Sequence, residues 1–208
     1  LEGYLLPETY RVEFDASPRD VVRQMLKQAN AVWDTAADRK AAALGLTRNQ
    51  VLTLASIVEG EAKVPAERRR IAGVYYNRYK RHMLLQADPT VIYALKRDGR
   101  WRGELLRSDY DYESPYNTYM HAGLPPGPIA NPGLDALKAA VNPARTSYLY
   151  FVADPTTGGH TFSTTFEDHL VAIAMARRGR AEMPPPMGPE SPVTPTPTTE
   201  PPPHAGGS

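Results

Sequence analysis

Two carboxylates, Glu59 and Glu61, stand at the end of a run that is otherwise apolar from Leu52 onward. A helix end packed against a core can partly desolvate a carboxyl group, and desolvation raises its pKa. A glutamic acid that keeps its proton near neutral pH can act as a general acid, as in lysozyme, where the acid's pKa is about 6. The same two residues also fit the solvent-facing end of an ordinary helix. With Val51, Leu54, Ala55, Val58 and Ala62 as the apolar stripe and ~100° per residue, Glu59 and Glu61 fall about 80° to either side of it. A regular helix therefore cannot aim both into one cleft. One is available for chemistry and the other for structure, and this geometry does not choose between them.

A second cluster lies in the proline-rich stretch Ser114 to Pro132, which gathers Tyr116, Asn117 and Tyr119. Aromatic faces stack on the C–H faces of sugar rings, and amides pair with hydroxyls. Ordinary loop packing is the competing reading. No glycine-rich phosphate loop follows a strand, and no HExxH or paired Cys/His spacing occurs, so neither a metal nor a cofactor is expected. Ser56 lacks a nucleophile-elbow context, and the histidines are scattered. The chain has no cysteine, which excludes disulfides and thiolate chemistry. A net charge of +1 gives no sign of a nucleic-acid partner. The local basic runs Arg68 to Arg70 and Arg78 to Arg81 read as solvated helix faces.

The elements that must position these residues are mostly helical. Ser17-Pro18 reads as a helix start, and Thr47 with Gln50 forms a capping box before the helix that carries both glutamates. Pro65 opens a helix through Tyr79, Asp88-Pro89 a short one to Leu95, and Asn131-Pro132 another through Val141. Asp88 serves there as a helix cap. Tyr148 to Ala153 and His160 to Thr164 read as a hairpin, and Thr164 with Glu167 caps a last helix to about Arg178. The expected fold is α+β, a mostly helical domain over residues 1–183 with a small antiparallel hairpin. Residues 184–208 hold 10 of the 21 prolines and almost nothing apolar, so they are expected to form a disordered tail. No apolar run reaches the ~18 residues of a membrane span.

Several stretches, in order, resemble the YceG-like (MltG) family of endolytic murein transglycosylases. They are Leu1-Glu-Gly-Tyr-Leu-Leu-Pro-Glu-Thr-Tyr10, Ala55-Ser-Ile-Val-Glu-Gly-Glu61, Gly73 to Arg78, Leu85 to Tyr93, Ser114-Pro-Tyr-Asn-Thr-Tyr119, Gly123 to Ile129, Asn131-Pro-Gly133, Tyr148 to Asp154 and Gly159 to Phe162. The resemblance implies a bacterial, membrane-tethered enzyme that cuts peptidoglycan glycan strands on the outer side of the cytoplasmic membrane, near the peptidoglycan synthases. It also implies a membrane helix and a LysM-like lobe upstream. Leu1 opens inside a motif, so the sequence is expected to be part of a longer chain. The family's catalytic glutamate falls within Glu59-Gly-Glu61, and the resemblance favours Glu61. Asn77, Gln86, Asp88, Tyr116, Asn117 and Tyr119 match motif positions expected around the cleft. Gly60 stands where a charged or larger residue is expected, at a cost to the helix end of about 1 kcal/mol.

The implied reaction breaks the MurNAc–GlcNAc bond without water. One glutamate protonates the leaving oxygen, then takes the proton of the MurNAc 6-hydroxyl as a 1,6-anhydro ring closes. Two alternatives stay open: a lysozyme-like hydrolase with Asp88 as second carboxylate, and a glycan-binding scaffold without catalysis.

Overall fold

A computed structural model describes residues 1–182; the stretch expected to be a disordered tail lies outside the described residues. Helix α1 (Pro18–Val32) starts as anticipated, with Ser17 accepting from the Asp20 N–H and proline in the first turn. Helix α2 (Thr35–Leu44), which the apolar pattern did not announce, is capped by Asp34 and ends on Gly45 at φ +69°, a left-handed position that suits glycine. Helix α3 (Arg48–Glu61) opens with both halves of the Thr47–Gln50 capping box in place.

Every residue of α3 from Val51 to Val58 is buried, so α3 is a central helix rather than a surface helix with one apolar stripe. Residues such as Leu54 and Ile57, 2% and 0% exposed, each contribute about 1.5–3 kcal/mol through burial. Helices α4 (Arg68–Lys80), α5 (Asp88–Arg97) and α6 (Leu134–Ala140) pack around α3. Pro65 begins a 3-10 turn, Pro65–Glu67, and α4 follows it. Helix α6 begins beyond Asn131-Pro132, at Gly133, with no side-chain cap. The Asn131 side chain is spent elsewhere, accepting from the backbone N–H of Gly3 at 2.7 Å and of Leu5 at 3.3 Å.

Strands β1 (Tyr150–Ala153) and β2 (His160–Ser163) form the expected antiparallel hairpin, with Phe151 opposite Phe162. Helix α7 (Phe166–Glu182) packs on it. The cap of α7 is Thr165 with Asp168 rather than Thr164 with Glu167: the Thr165 hydroxyl accepts from the Asp168 N–H at 3.1 Å. The architecture is α+β. Several ties fasten the hairpin and the chain entering it to the helical body. Arg78 Nε donates to the Leu149 carbonyl at 2.6 Å, the Ala144 N–H to the Arg69 carbonyl at 2.8 Å, and the buried His160 and Glu67 side chains meet at 2.7 Å.

Candidate active site

Glu61 is the last residue of α3, and two neighbouring helices decide its surroundings. Tyr75 of α4 is 2% exposed, and its hydroxyl donates to Glu61 Oε1 at 2.8 Å. The first residue of α5, Asp88, shares one cavity with Glu61. That cavity has a volume of about 260 Å³ and is lined also by Arg78, Leu85, Gln86, Tyr119, Phe151 and His169. Gly60 explains how α5 comes so close. A Cβ there would lie 2.8 Å from Cβ and 2.9 Å from Cγ of Pro89, well inside van der Waals contact. Helix α3 stays regular through Gly60, so the glycine permits the close helix contact without ending the helix early.

The Glu61 carboxyl is pushed up from its ordinary 4.5 to about 7, first by burial and next by the neighbouring Asp88 charge. The Tyr75 hydrogen bond and Lys63 pull the other way without prevailing. Its side chain is half-buried and open to the cavity, which is the condition a proton donor needs: shielded from bulk water, reachable by a ligand. Asp88 does not cap α5; the cap residue is Ala87, without a side-chain bond. Its carboxylate instead accepts from the Tyr119 hydroxyl at 2.5 Å. Burial and then Asp88 raise the Tyr119 phenol, so it stays a donor. Gln86 holds a left-handed backbone, φ +54°, costly for a side-chain-bearing residue. Its N–H donates to the Thr118 carbonyl at 3.0 Å and its side-chain oxygen accepts from Arg78 at 3.3 Å, fixing the turn into α5.

Glu61, Gln86, Asp88 and Tyr119 therefore converge, while four other anticipated residues lie elsewhere. Glu59 diverges from Glu61 and accepts weakly from the Gly133 N–H at 3.4 Å, with Arg68 3.9 Å away. It secures the start of α6. The Asn77 amide donates to the carbonyls of Thr146 and Tyr148 at 2.8 and 2.9 Å, so it supports the chain entering β1. Tyr116 packs on Tyr93 with ring centres 4.8 Å apart, with Arg97 over its ring. Asn117 is 0% exposed. Its amide donates to the carbonyls of Tyr110 and Tyr112 at 2.9 Å each, and its oxygen accepts from the Tyr119 N–H at 2.9 Å. It shapes the wall that presents Tyr119 and touches no cavity space. Arg78, read as part of a solvated face, is buried. Tyr75, Arg78, Phe151 and His169 were not singled out as site residues. The first two lie on α4, the next long helix after Glu61, and within one turn of each other, a local cue; His169, on α7, has none.

Two larger hollows lack this chemistry. One of about 620 Å³ between α7 and the hairpin contains Asp154 and Asp168, both engaged locally by Thr156 and Thr165. Another, of about 750 Å³, lies between α2, α4 and residues 141–147 and holds no carboxylate. Among the described residues no three His, Asp or Glu side chains converge as metal ligands, and no helix is long and apolar enough to cross a membrane.

The sequence model of the YceG-like family matches residues 1–175, a span that contains the whole Glu61 cavity. The chain belongs to the YceG-like family. It is 43% identical over 171 residues to an endolytic murein transglycosylase of Bacillus subtilis, covering 81% of this chain and 46% of that protein. To an endolytic murein transglycosylase of Streptococcus pneumoniae it is 37% identical over 175 residues, covering 81% of this chain and 31% of the relative. The crystal structure of a YceG-like protein from Listeria monocytogenes superposes with a TM-score of 0.72 at 40% identity, covering 81% of this chain and 54% of that one. The chain thus spans less than half the length of the curated relatives it matches.

Proposed function

We propose that this YceG-like chain is the catalytic part of a lytic transglycosylase acting on peptidoglycan glycan strands, with Glu61 as its acid and base. One observation carries the reading: a glutamate with its carboxyl raised to about 7 faces a polar cavity inside a family span shared with murein transglycosylases. Near neutral pH such a group is roughly half protonated, which suits a residue that must both give and take a proton. Tyr75 holds Oε1, leaving Oε2 to deliver its proton to the glycosidic oxygen between MurNAc and GlcNAc. As that C–O bond breaks, GlcNAc leaves with a free 4-hydroxyl and positive charge grows on the MurNAc anomeric carbon. The Asp88 carboxylate, held by Tyr119, offsets that charge electrostatically. The MurNAc 6-oxygen then bonds to the anomeric carbon and its proton passes to Glu61, restoring the acid. No water is consumed, and the tethered nucleophile carries an entropic advantage.

Asp88 in the same cavity also favours a second reading, a hydrolase in which it activates water or attacks directly. Mass spectrometry of digested peptidoglycan separates the two. Anhydro-MurNAc ends, lost in Glu61→Gln and kept in Glu59→Gln, are expected. Reducing ends would establish the hydrolase, and intact strands would remove both enzymes in favour of a scaffold. Because the substrate lies outside the cytoplasmic membrane, we place the action there, on a protein anchored through a segment beyond this chain and working beside the synthases that make the strands.

A further inference from the structure

The cavity lining combines two chemistries. Besides the carboxylates Glu61 and Asp88 it includes Arg78, Gln86 and His169, and the proton chemistry above gives His169 no part. His169 reaches it from α7, 108 residues after Glu61 in the chain. Its ring stacks on Tyr150 with centres 5.1 Å apart and planes 20° from parallel. Nδ1 is buried and has no hydrogen-bond partner. A buried N–H without an acceptor is rarer in folded proteins than an acceptor left short of a donor, so the proton belongs on Nε2. Burial first, then the Arg78 charge, hold the imidazole below its ordinary pKa, which keeps it neutral. Nε2 has no partner among the described residues either, and the half-buried ring borders the cavity. Arg78 adds a cation that forms no ion pair among the described residues. Its Nε and Nη1 are spent on the carbonyls of Leu149, Leu84 and Leu85 and on Gln86.

We propose that His169 Nε2–H, beside Arg78, is a substrate-binding donor that holds an amide carbonyl oxygen carried on the sugar. Such an oxygen is an uncharged acceptor, matching a neutral donor, and partial negative charge at its end suits the neighbouring guanidinium. A peptidoglycan strand offers two: the 2-acetamido carbonyl and the amide joining lactyl group to stem peptide. The assignment rests on the transglycosylase reading, but it is tested through binding, apart from catalysis.

Co-sedimentation with insoluble polymers, in the non-cutting Glu61→Gln background, tests it on three: native peptidoglycan, N-deacetylated peptidoglycan, and chitin, which keeps the acetamido groups and lacks the lactyl amide. His169→Phe keeps an aromatic ring for the Tyr150 stack and removes the N–H. It is expected to weaken binding to native polymer about three- to tenfold, the range of one neutral hydrogen bond. His169→Gln restores a donor and should bind like its parent. In the parent, one of the other two polymers should show the same loss, and on that polymer His169→Phe should lose nothing further; this names the acyl group. The proposal is overturned if the parent binds all three polymers alike, whatever the variants do, or if His169→Phe loses equally on all three. Release of anhydro ends by the unmodified protein is measured separately. Its absence would remove the catalytic reading, whereas equal binding of the three polymers would remove only the subsite.

Discussion

Replacing Glu61 by glutamine should make the protein more stable, and only above a definable pH. The Gln carbonyl can still accept from Tyr75, whose hydroxyl donates to Oε1 in the native chain, so the perturbation is loss of the charge. Unfolded, the carboxyl titrates near its ordinary 4.5; folded, near about 7. Between those values the native state binds more protons than the unfolded one, so stability falls as pH rises through the window and levels off above it. The gap, at about 1.4 kcal/mol per pH unit, sets an upper bound of about 3 kcal/mol. Glu61 is open to the cavity, so solvent reduces that figure. For a domain of this size about 3 kcal/mol is at most some 6–12 °C in thermal midpoint. Melting curves of the native and Glu61→Gln proteins from about pH 4 to pH 8.5 should coincide at the acid end, separate between about pH 4.5 and 7, and stay apart by a constant margin above that, with the variant higher. Parallel curves, or a native protein that melts higher at pH 8, would refute the claim that burial strains this carboxylate.

Gly60→Ala should force Pro89, and with it Asp88, outward by several tenths of an ångström, because the added Cβ would start 2.8 Å from the proline ring. Better helix propensity, about 1 kcal/mol, partly offsets an overpacking cost of about 1–3 kcal/mol; kcat should fall at least tenfold while the melting temperature falls by at most some 4–8 °C. Asn117→Ala leaves two carbonyls and one N–H without their buried partner, so chemical denaturation should show a loss of about 2–4 kcal/mol. Turnover should drop through displacement of Tyr119, and a variant of native stability would mean that the buried amide is dispensable.

What could be read beforehand was what depends on neighbours along the chain. The Thr47–Gln50 box, the Ser17-Pro18 start and the divergence of Glu59 from Glu61 follow from spacing within a few residues, and the structure has each of them. The direction in which Glu61 points depends on Tyr75 and on Pro89 filling the space beside Gly60, which are tertiary facts. Asn117 misled because an amide that suits a sugar hydroxyl suits a backbone carbonyl equally well; its neighbours Tyr110 and Tyr112 supplied the carbonyls. Helix α2 escaped notice because its alanines make a faint stripe, although Asp34 and Gly45 mark its two ends. Asp88 looked like a cap until Tyr119, 31 residues on, claimed its carboxylate. No local signal could have brought His169 to the site.

The fastening of the hairpin and α7 to the helical body has a consequence for when the acid exists at all. Phe151 and His169 both line the cavity, and both arrive on the unit held by Arg78, Glu67 and the Arg69 carbonyl. If that unit swings away, Glu61 is rehydrated and its proton affinity falls toward that of a free side chain. Opening at neutral pH therefore releases about half a proton on average, and alkaline conditions favour opening. During synthesis the same logic runs in reverse: the first five helices bring Tyr75 and Asp88 to Glu61, and Phe151 and His169 are added to the cavity lining only with the hairpin and α7. Glu61 is therefore shielded on every side only once the final helix has docked.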